Sequence, residues 1–214
     1  LVAAATAITV AANYIGTDIT GTIAIPNLAV QGGIFLNNAP VNFIGGANAG
    51  NVVSGNTNHG ITVVGAGSTG NRIEGNLVGL AADGLTALAN GGIGIDIVSA
   101  GATTIGGLST QLRNFIAGNN GPGIQVRTGP TGISIIFNYI GANTNGDALG
   151  NGGPGIFIQD ASDVAAGVGA PNVIVGNATG ITVVGNSLRN NLASNENHSN
   201  VGLAIDLGGD GPTA

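Results

Sequence analysis

The chain has 214 residues, of which 41 are glycine, 43% are hydrophobic and only 7% are charged. This combination excludes an intrinsically disordered chain, and with only 3% aromatic residues and no Trp or Met it favours a narrow aliphatic core between closely stacked backbones. The net charge of −6, with four Arg and no Lys, excludes a nucleic-acid groove and an anionic membrane surface, and the absence of Cys excludes disulfides and thiolate metal sites.

The predicted elements follow a long internal repeat. Residues 13–16 (NYIG) return as residues 76–79 (NLVG) and again as residues 138–141 (NYIG), at spacings of 63 and 62 residues. Residues 1–12 are the longest uncharged apolar stretch at the start and are too short to span a bilayer, so we expect no membrane insertion.

Within each repeat the motifs are short, alternate apolar with other residues, and are bounded by Gly or Asn, which is typical of strands. The motif Gly-Ile-x-aliphatic recurs, and its alternation predicts which side chains enter the core. We expect Ile61, Ile95, Ile124, Ile156 and Ile181 to be buried. In the same strands we expect Phe35, Asp96 and Phe157 to face outward, and we expect Arg72 and Glu74 to face solvent on either side of a buried Ile73.

The absence of any helical apolar spacing predicts an all-β solenoid. About three coils of roughly twenty residues fit one long repeat, which gives about ten coils and a rod roughly 50 Å long. The recurrent Asn residues are expected at coil corners, where their amides can form ladders between coils. We interpret residues 1–214 as one domain and, since the chain does not begin with Met, as part of a longer chain.

The repeated motifs resemble those of bacterial secreted and cell-surface proteins with right-handed parallel β-helix repeats, which have the pectin-lyase-like fold. The I-G-G elements at residues 44–46 and 105–107 fit that pattern, and residues 202–211 resemble the segment that closes such repeats. The resemblance covers nearly the whole chain. It implies a right-handed parallel β-helix and a secreted or cell-surface location, but it does not specify an activity.

Pectate lyases and polygalacturonases also have this fold, so an enzymatic function is a second interpretation of the repeats. Residues 58–60 (NHG) and 72–74 (RIE) are similar to the G-H-G and R-I-K elements of the hydrolases. However, the upstream pair of Asp residues is missing and Glu74 replaces the Lys, whereas glycoside hydrolysis requires two carboxylates. We therefore expect no catalytic residues and no enzyme, with His59 as a turn residue preceding a strand.

Two pairs of aspartates are candidates for a metal site. Asp160 and Asp163 lie in one predicted loop, and Asp206 and Asp210 lie in another. Calcium prefers several oxygen ligands, so these four residues are weak calcium candidates, although neither pair matches a complete calcium-loop motif and solvated turn residues are the preferred interpretation. No other cofactor is expected.

Two functions remain open. The first is a non-catalytic extracellular scaffold whose rods associate end to end with copies of themselves, at the cell surface or in a fibre. The alternative is a carbohydrate-binding or polysaccharide-cleaving module with a surface polysaccharide as partner. For the alternative, Phe35 and Phe157 would form a sparse sugar platform, predicted three coils on either side of Asp96.

Overall fold

The computed structural model describes residues 5–129 and 131–211. Within these residues the chain forms short β-strands and one 3-10 turn, Thr110–Leu112. The strands assemble into three parallel sheets of seven strands each. Since each coil contributes one strand to each sheet, the chain is a right-handed parallel β-helix, which confirms the predicted fold class.

The three sheets are defined by their strands. Sheet 1 contains β1 (Thr9–Val10), β4 (Phe43–Gly45), β7 (Arg72–Glu74), β10 (Thr104–Ile105), β13 (Ser134–Ile135), β16 (Ala165–Ala166) and β19 (Asn191–Leu192). Sheet 2 contains β2 (Tyr14–Ile15), β5 (Val52–Val53), β8 (Leu77–Val78), β11 (Phe115–Ile116), β14 (Tyr139–Ile140), β17 (Val173–Val175) and β20 (Glu196–His198). Sheet 3 contains β3 (Ile34–Asn37), β6 (Ile61–Val64), β9 (Ile95–Val98), β12 (Ile124–Arg127), β15 (Ile156–Gln159), β18 (Ile181–Val184) and β21 (Ile205–Leu207).

The number of coils is seven, not about ten. Ile61 pairs with Ile95, which in turn pairs with Ile124, so the 63-residue repeat spans two coils and not three. Each coil is longer than expected because it holds three strands and a variable loop between sheets 2 and 3. At ~4.8 Å between neighbouring strands the described rod is only about 30 Å long.

The core is a stack of aliphatic side chains from all three sheets. The isoleucines Ile61, Ile95, Ile124, Ile156 and Ile181 are all fully buried, which confirms the predicted strand register. Glu74 departs from the prediction, since it is only 7% exposed although it lies on the outer face. Arg72 covers it, with Arg72 Nε donating to Glu74 Oε1 over 2.6 Å, so the expectation that both residues face solvent was wrong for Glu74.

Ladders of buried Asn side chains join the coils at two corners, as expected. In the corner before sheet 2, the backbone N–H and the side-chain Nδ2 of Asn76 both donate to Asn114 Oδ1, over 2.9 and 3.0 Å. Asn114 Nδ2 continues the ladder to Asn138 Oδ1 over 2.9 Å. These bonds satisfy polar groups that would otherwise destabilise the core. The second ladder, before sheet 3, contains Asn56, Asn90, Asn119, Asn151, Asn177 and Asn200.

In alternate coils a longer loop connects the strand of sheet 2 to the strand of sheet 3. Residues 17–24, 80–87 and 142–148 form these loops, each closed by an isolated antiparallel bridge. The loops contact one another across the intervening coils. The N–H of Ala82 donates to the carbonyl oxygen of Gly21 over 2.9 Å, and the N–H of Thr144 donates to that of Gly84 over 3.0 Å. The loops therefore form their own stack alongside sheet 2.

Candidate functional site

The candidate site lies on the outer face of sheet 3, whose strands are longer than those of sheets 1 and 2. Pairing between adjacent strands aligns one outward residue from each strand in a column along the rod. From one end to the other this column reads Phe35, Thr62, Asp96, Gln125, Phe157, Thr182 and Asp206. Phe35 and Phe157 are two strands, or about 10 Å, on either side of Asp96, not three coils as predicted.

Asp96 lies on the outer face but has no exposed surface, so the expectation that it faces outward was correct for direction and wrong for exposure. The guanidinium of Arg127, on the adjacent strand, covers it. Arg127 Nε and Nη2 donate to the two carboxylate oxygens of Asp96 over 3.1 and 2.9 Å. This bidentate contact compensates the burial of the carboxylate and raises the pKa of Arg127 above its usual value.

His59 lies in the turn before β6, close enough to this ion pair for both charges to affect its pKa. Its Nδ1 accepts a hydrogen bond from the backbone N–H of Ile93 over 3.0 Å, which places the proton of the neutral ring on Nε2. Burial lowers the pKa of His59, the charge of Asp96 raises it, and the charge of Arg127 lowers it. The net effect is a lowered pKa, so the ring is neutral and Nε2 is a hydrogen-bond donor near neutral pH.

A close backbone approach holds the His59 ring in place. A methyl group at Gly92 would lie 2.6 Å from His59 Nδ1, so only glycine allows the chain before β9 to pass this close to the imidazole. The same segment supplies the Ile93 N–H that fixes the tautomer. The imidazole is therefore held by two neighbouring backbone positions of the next coil.

The arrangement provides hydrogen-bond donors on a surface flanked by aromatic rings. Two of the five N–H groups of Arg127 bind Asp96, which leaves three for a ligand, together with Nε2 of His59 and the half-buried amide of Gln125. Both oxygens of Asp96 already accept bonds from Arg127. The group is therefore suited to binding oxygen-rich ligands through donated hydrogen bonds.

The four calcium candidates have intramolecular partners or lie apart. Asp163 forms a bidentate contact with the exposed Arg189 over 2.8 and 2.7 Å, and Asp160 Oδ1 accepts the backbone N–H of Asn186. Asp206 accepts the N–H groups of Gly209 and Gly211, and Asp210 is exposed. Among the described residues, no three His, Asp or Glu side chains come together as a metal site. Calcium binding at these positions stays a prediction.

The sequence predicts His59 only as an isolated turn residue, and it does not predict the contact between Arg127 and Asp96. Residues 96 and 127 are one coil apart, but that relation is visible only when the coil length is known. The match of Gly94-Ile95 with Gly123-Ile124 is a usable signal. It aligns Gln125 with Asp96, so that Arg127, two residues further along, lies on the same face of the sheet. Division of the repeat into three coils concealed it.

The comparisons with known proteins support the fold. No family model and no curated protein sequence matches the chain. Among solved structures, the chain is similar to a mutant of the periplasmic alginate epimerase AlgG, with a TM-score of 0.59 and 16% identity. The match covers 94% of this chain and 40% of that protein, so this chain spans less than half of its structural neighbour. The resemblance to β-helix repeat proteins is confirmed at the level of fold.

The match also corrects the expectation that the chain is not an enzyme. The β-helix that it resembles over almost its whole length is an epimerase, so the missing Asp pair and Lys were not sufficient grounds to exclude catalysis. As a separate finding, none of the described residues belongs to a helix long and apolar enough to span a membrane.

Proposed function

We propose that this β-helix binds an extended polysaccharide along the outer face of sheet 3, outside the cytoplasm. The observation that carries the proposal is the column on that face. Two outward phenylalanines, Phe35 and Phe157, flank the group formed by His59, Asp96 and Arg127 at equal distances. A linear polymer that follows the rod axis would contact a ring, the donor group and the second ring in turn.

The chemistry of the column matches that of a sugar chain. Aromatic rings supply flat apolar surface for the carbon faces of sugar rings, and a few fixed donors orient their hydroxyl and carboxylate oxygens. Phe35 is 46% exposed, and Phe157 is half-buried. A polyuronate is the first ligand to test because the structural neighbour acts on alginate and because Arg127 provides free donors suited to carboxylates.

Binding should be measured by calorimetry with polyuronates and neutral polysaccharides. The double variant Phe35→Ala/Phe157→Ala should weaken binding about tenfold or more, since each ring contributes buried apolar area. The matched control is Phe43→Ala, which removes an exposed ring from sheet 1 and should leave the affinity unchanged. Equal effects of the two changes, or no binding to any polysaccharide, would contradict the proposal.

Modification of the bound polymer is a second candidate activity at the same site. It is favoured by His59, whose neutral ring carries its proton on Nε2 and lies close enough to Asp96 and Arg127 for their charges to affect its pKa. Epimerisation of a uronate removes the proton next to its carboxylate and returns one to the opposite face. Solvent would take up the proton and return one to the opposite face, while Arg127 and the Nε2–H of His59 would stabilise, by hydrogen bonds, the negative charge that develops on the carboxylate. Incubation with polyuronate, followed by proton NMR of the sugar composition, tests this; His59→Ala should abolish any change.

A scaffold role is supported by the edges of the sheets. Among the described residues, β3 pairs only with β6 and β21 pairs only with β18, so each has one unpaired side. Such edges can pair with a strand of another molecule. This supports an extracellular rod that associates end to end, a role compatible with polysaccharide binding along its side.

A further inference from the structure

A second cluster, made of aromatic side chains and one arginine, lies on a different face, at the outer surface of sheet 2. Three of the seven aromatic residues of the chain, Phe115, Phe137 and Tyr139, gather there in two neighbouring coils. The Phe115 and Tyr139 rings meet edge to face, with their centroids 5.2 Å apart. All three residues are partly exposed, so the cluster presents ring surface to a ligand in a chain that has few aromatic residues.

Arg113 is part of this cluster and differs from the other three arginines. Those three each contact a carboxylate, in the pairs Arg72–Glu74, Arg127–Asp96 and Arg189–Asp163. Within residues 5–129 and 131–211, Arg113 has no carboxylate partner. Its guanidinium instead lies 4.1 Å from the ring centroids of both Phe137 and Tyr139.

The rings hold the guanidinium in place while leaving its outer donors free. Arg113 Nε donates to the carbonyl oxygen of Phe137 over 3.3 Å, and this is its one hydrogen bond among the described residues. Cation–π contact with two rings stabilises the charge without consuming the N–H groups of Nη1 and Nη2. Those two nitrogens present the fork that binds a carboxylate through two parallel hydrogen bonds.

We propose that Arg113, Phe115, Phe137 and Tyr139 form a binding site for one uronate unit of an acidic polysaccharide. The carboxylate binds to the Nη1 and Nη2 donors of Arg113, and the carbon face of the sugar packs on the exposed ring surface of Phe115 and Tyr139. The ligand supplies the negative charge that each of the other arginines obtains from within the chain. This site lies on sheet 2, so it does not depend on the column of sheet 3.

The composition of the chain makes the site directly observable. There is no Trp and there are only two Tyr, so the variant Tyr14→Phe leaves Tyr139 as the only tyrosine fluorophore. In this background, titration with a short oligouronate should change the fluorescence of Tyr139 in a saturable way. The same oligosaccharide with its carboxylates reduced to alcohols should bind at least about tenfold more weakly, because charge-assisted bonds to Arg113 are lost.

Substitutions test the role of Arg113. Arg113→Gln should weaken the response about tenfold or more, and Arg113→Lys, which keeps the charge but not the fork, should also weaken it severalfold. Arg189→Gln is the matched control: it removes another arginine of the outer surface, from an ion pair that is exposed on both sides, and should leave the response unchanged. His59→Ala and Phe35→Ala should also leave it unchanged, which separates this site from the one on sheet 3.

The proposal is overturned if oligouronate causes no saturable change at Tyr139, or if the neutral oligosaccharide binds equally well. It is also overturned if Arg113→Lys, with an unchanged circular dichroism spectrum, binds as tightly as the parent. In those cases the arginine only packs on the rings of its own surface. Loss of the response in His59→Ala would assign the fluorescence change to the site on sheet 3 and would likewise overturn it.

Discussion

Arg127 covers Asp96 across two adjacent strands of sheet 3, with two hydrogen bonds of 3.1 and 2.9 Å between one guanidinium and one carboxylate. The contact explains how a carboxylate with no exposed surface occurs in the outer layer of a β-helix. It also makes the two residues interdependent, because removal of Arg127 would leave a buried charge without a partner.

We predict that Arg127→Val destabilises the protein by about 3 kcal/mol, because it removes the cation and leaves the buried carboxylate of Asp96 without a partner. Other coils carry uncharged residues at the two positions of this ion pair. Thr62 and Thr182 occupy the position of Asp96, and Val98 occupies that of Arg127. The double variant Asp96→Thr/Arg127→Val should therefore recover most of the loss. Denaturant unfolding of both variants measures this. Arg189→Gln, at the exposed pair with Asp163, is the control and should cost less than about 1 kcal/mol. Gln is used because Arg189 has a φ of 56°, where a β-branched side chain would be strained.

A second prediction concerns the protonation of His59. Its pKa is lowered, chiefly by burial, so between the folded pKa and the usual value of 6.5 the unfolded chain binds a proton that the folded chain does not. Its contribution to the free energy of unfolding is thus full above about pH 6.5 and declines as the pH falls below that value. Nitrogen NMR should show the proton on Nε2 at pH 7 and a midpoint below 6.5; a midpoint above it would contradict the burial argument.

Gly92→Ala tests the positioning of the same imidazole. The added methyl group would lie 2.6 Å from His59 Nδ1, so the ring must move away and the hydrogen bond from Ile93 must weaken. We expect a mixture of tautomers in the nitrogen spectrum and weaker binding of polysaccharide. Gly101→Ala is a suitable control, because the nearest atom to its added methyl group is 3.5 Å away. An unchanged His59 spectrum in Gly92→Ala would show that the backbone does not fix the ring.

The sequence predicts more of the fold than of the candidate site. Alternation around Ile95 and Ile124 determines which side chains enter the core, because each strand alternates regardless of its neighbours. The number of coils could not be derived in the same way. Short strands of all three sheets look alike, so the sequence does not reveal that Ile61 stacks on Ile95. The partners of Asp96 and His59 come from the next coil, and they were missed for this reason.

The Asn ladder provides a stability prediction. Asn138→Ala removes a buried amide whose Nδ2 donates to Asn172 Oδ1 and whose Oδ1 accepts from Asn114, and it leaves both neighbours incompletely bonded. We expect a loss of about 3 kcal/mol in the free energy of unfolding. Asn186→Ala, at an exposed position, is the control and should change it by less than about 0.5 kcal/mol. Similar values for the two variants would show that the ladder does not stabilise the stack.

Association of the 214-residue polypeptide is the last prediction. Continuation of the sheet 3 register would pair Ile205 and Leu207 of one molecule with Ile34 and Leu36 of the next. We expect the mass measured by light scattering to rise with concentration, and Leu207→Lys to reduce that rise, since Leu207 is 72% exposed and the substitution places a charge in the contact. A constant monomer mass at high concentration would contradict end-to-end association.

The loop stack has a consequence for how this chain can lengthen or shorten. Loops 17–24, 80–87 and 142–148 touch only because a coil with a short turn separates each pair. A duplication or deletion of one coil would bring two loops into the same space or leave one without its neighbour. A change of two coils, about 63 residues, preserves strand register, Asn ladders and loop contacts together. The unit of insertion or deletion in this architecture is thus a pair of coils. Homologous chains of different length should therefore differ by whole pairs of coils.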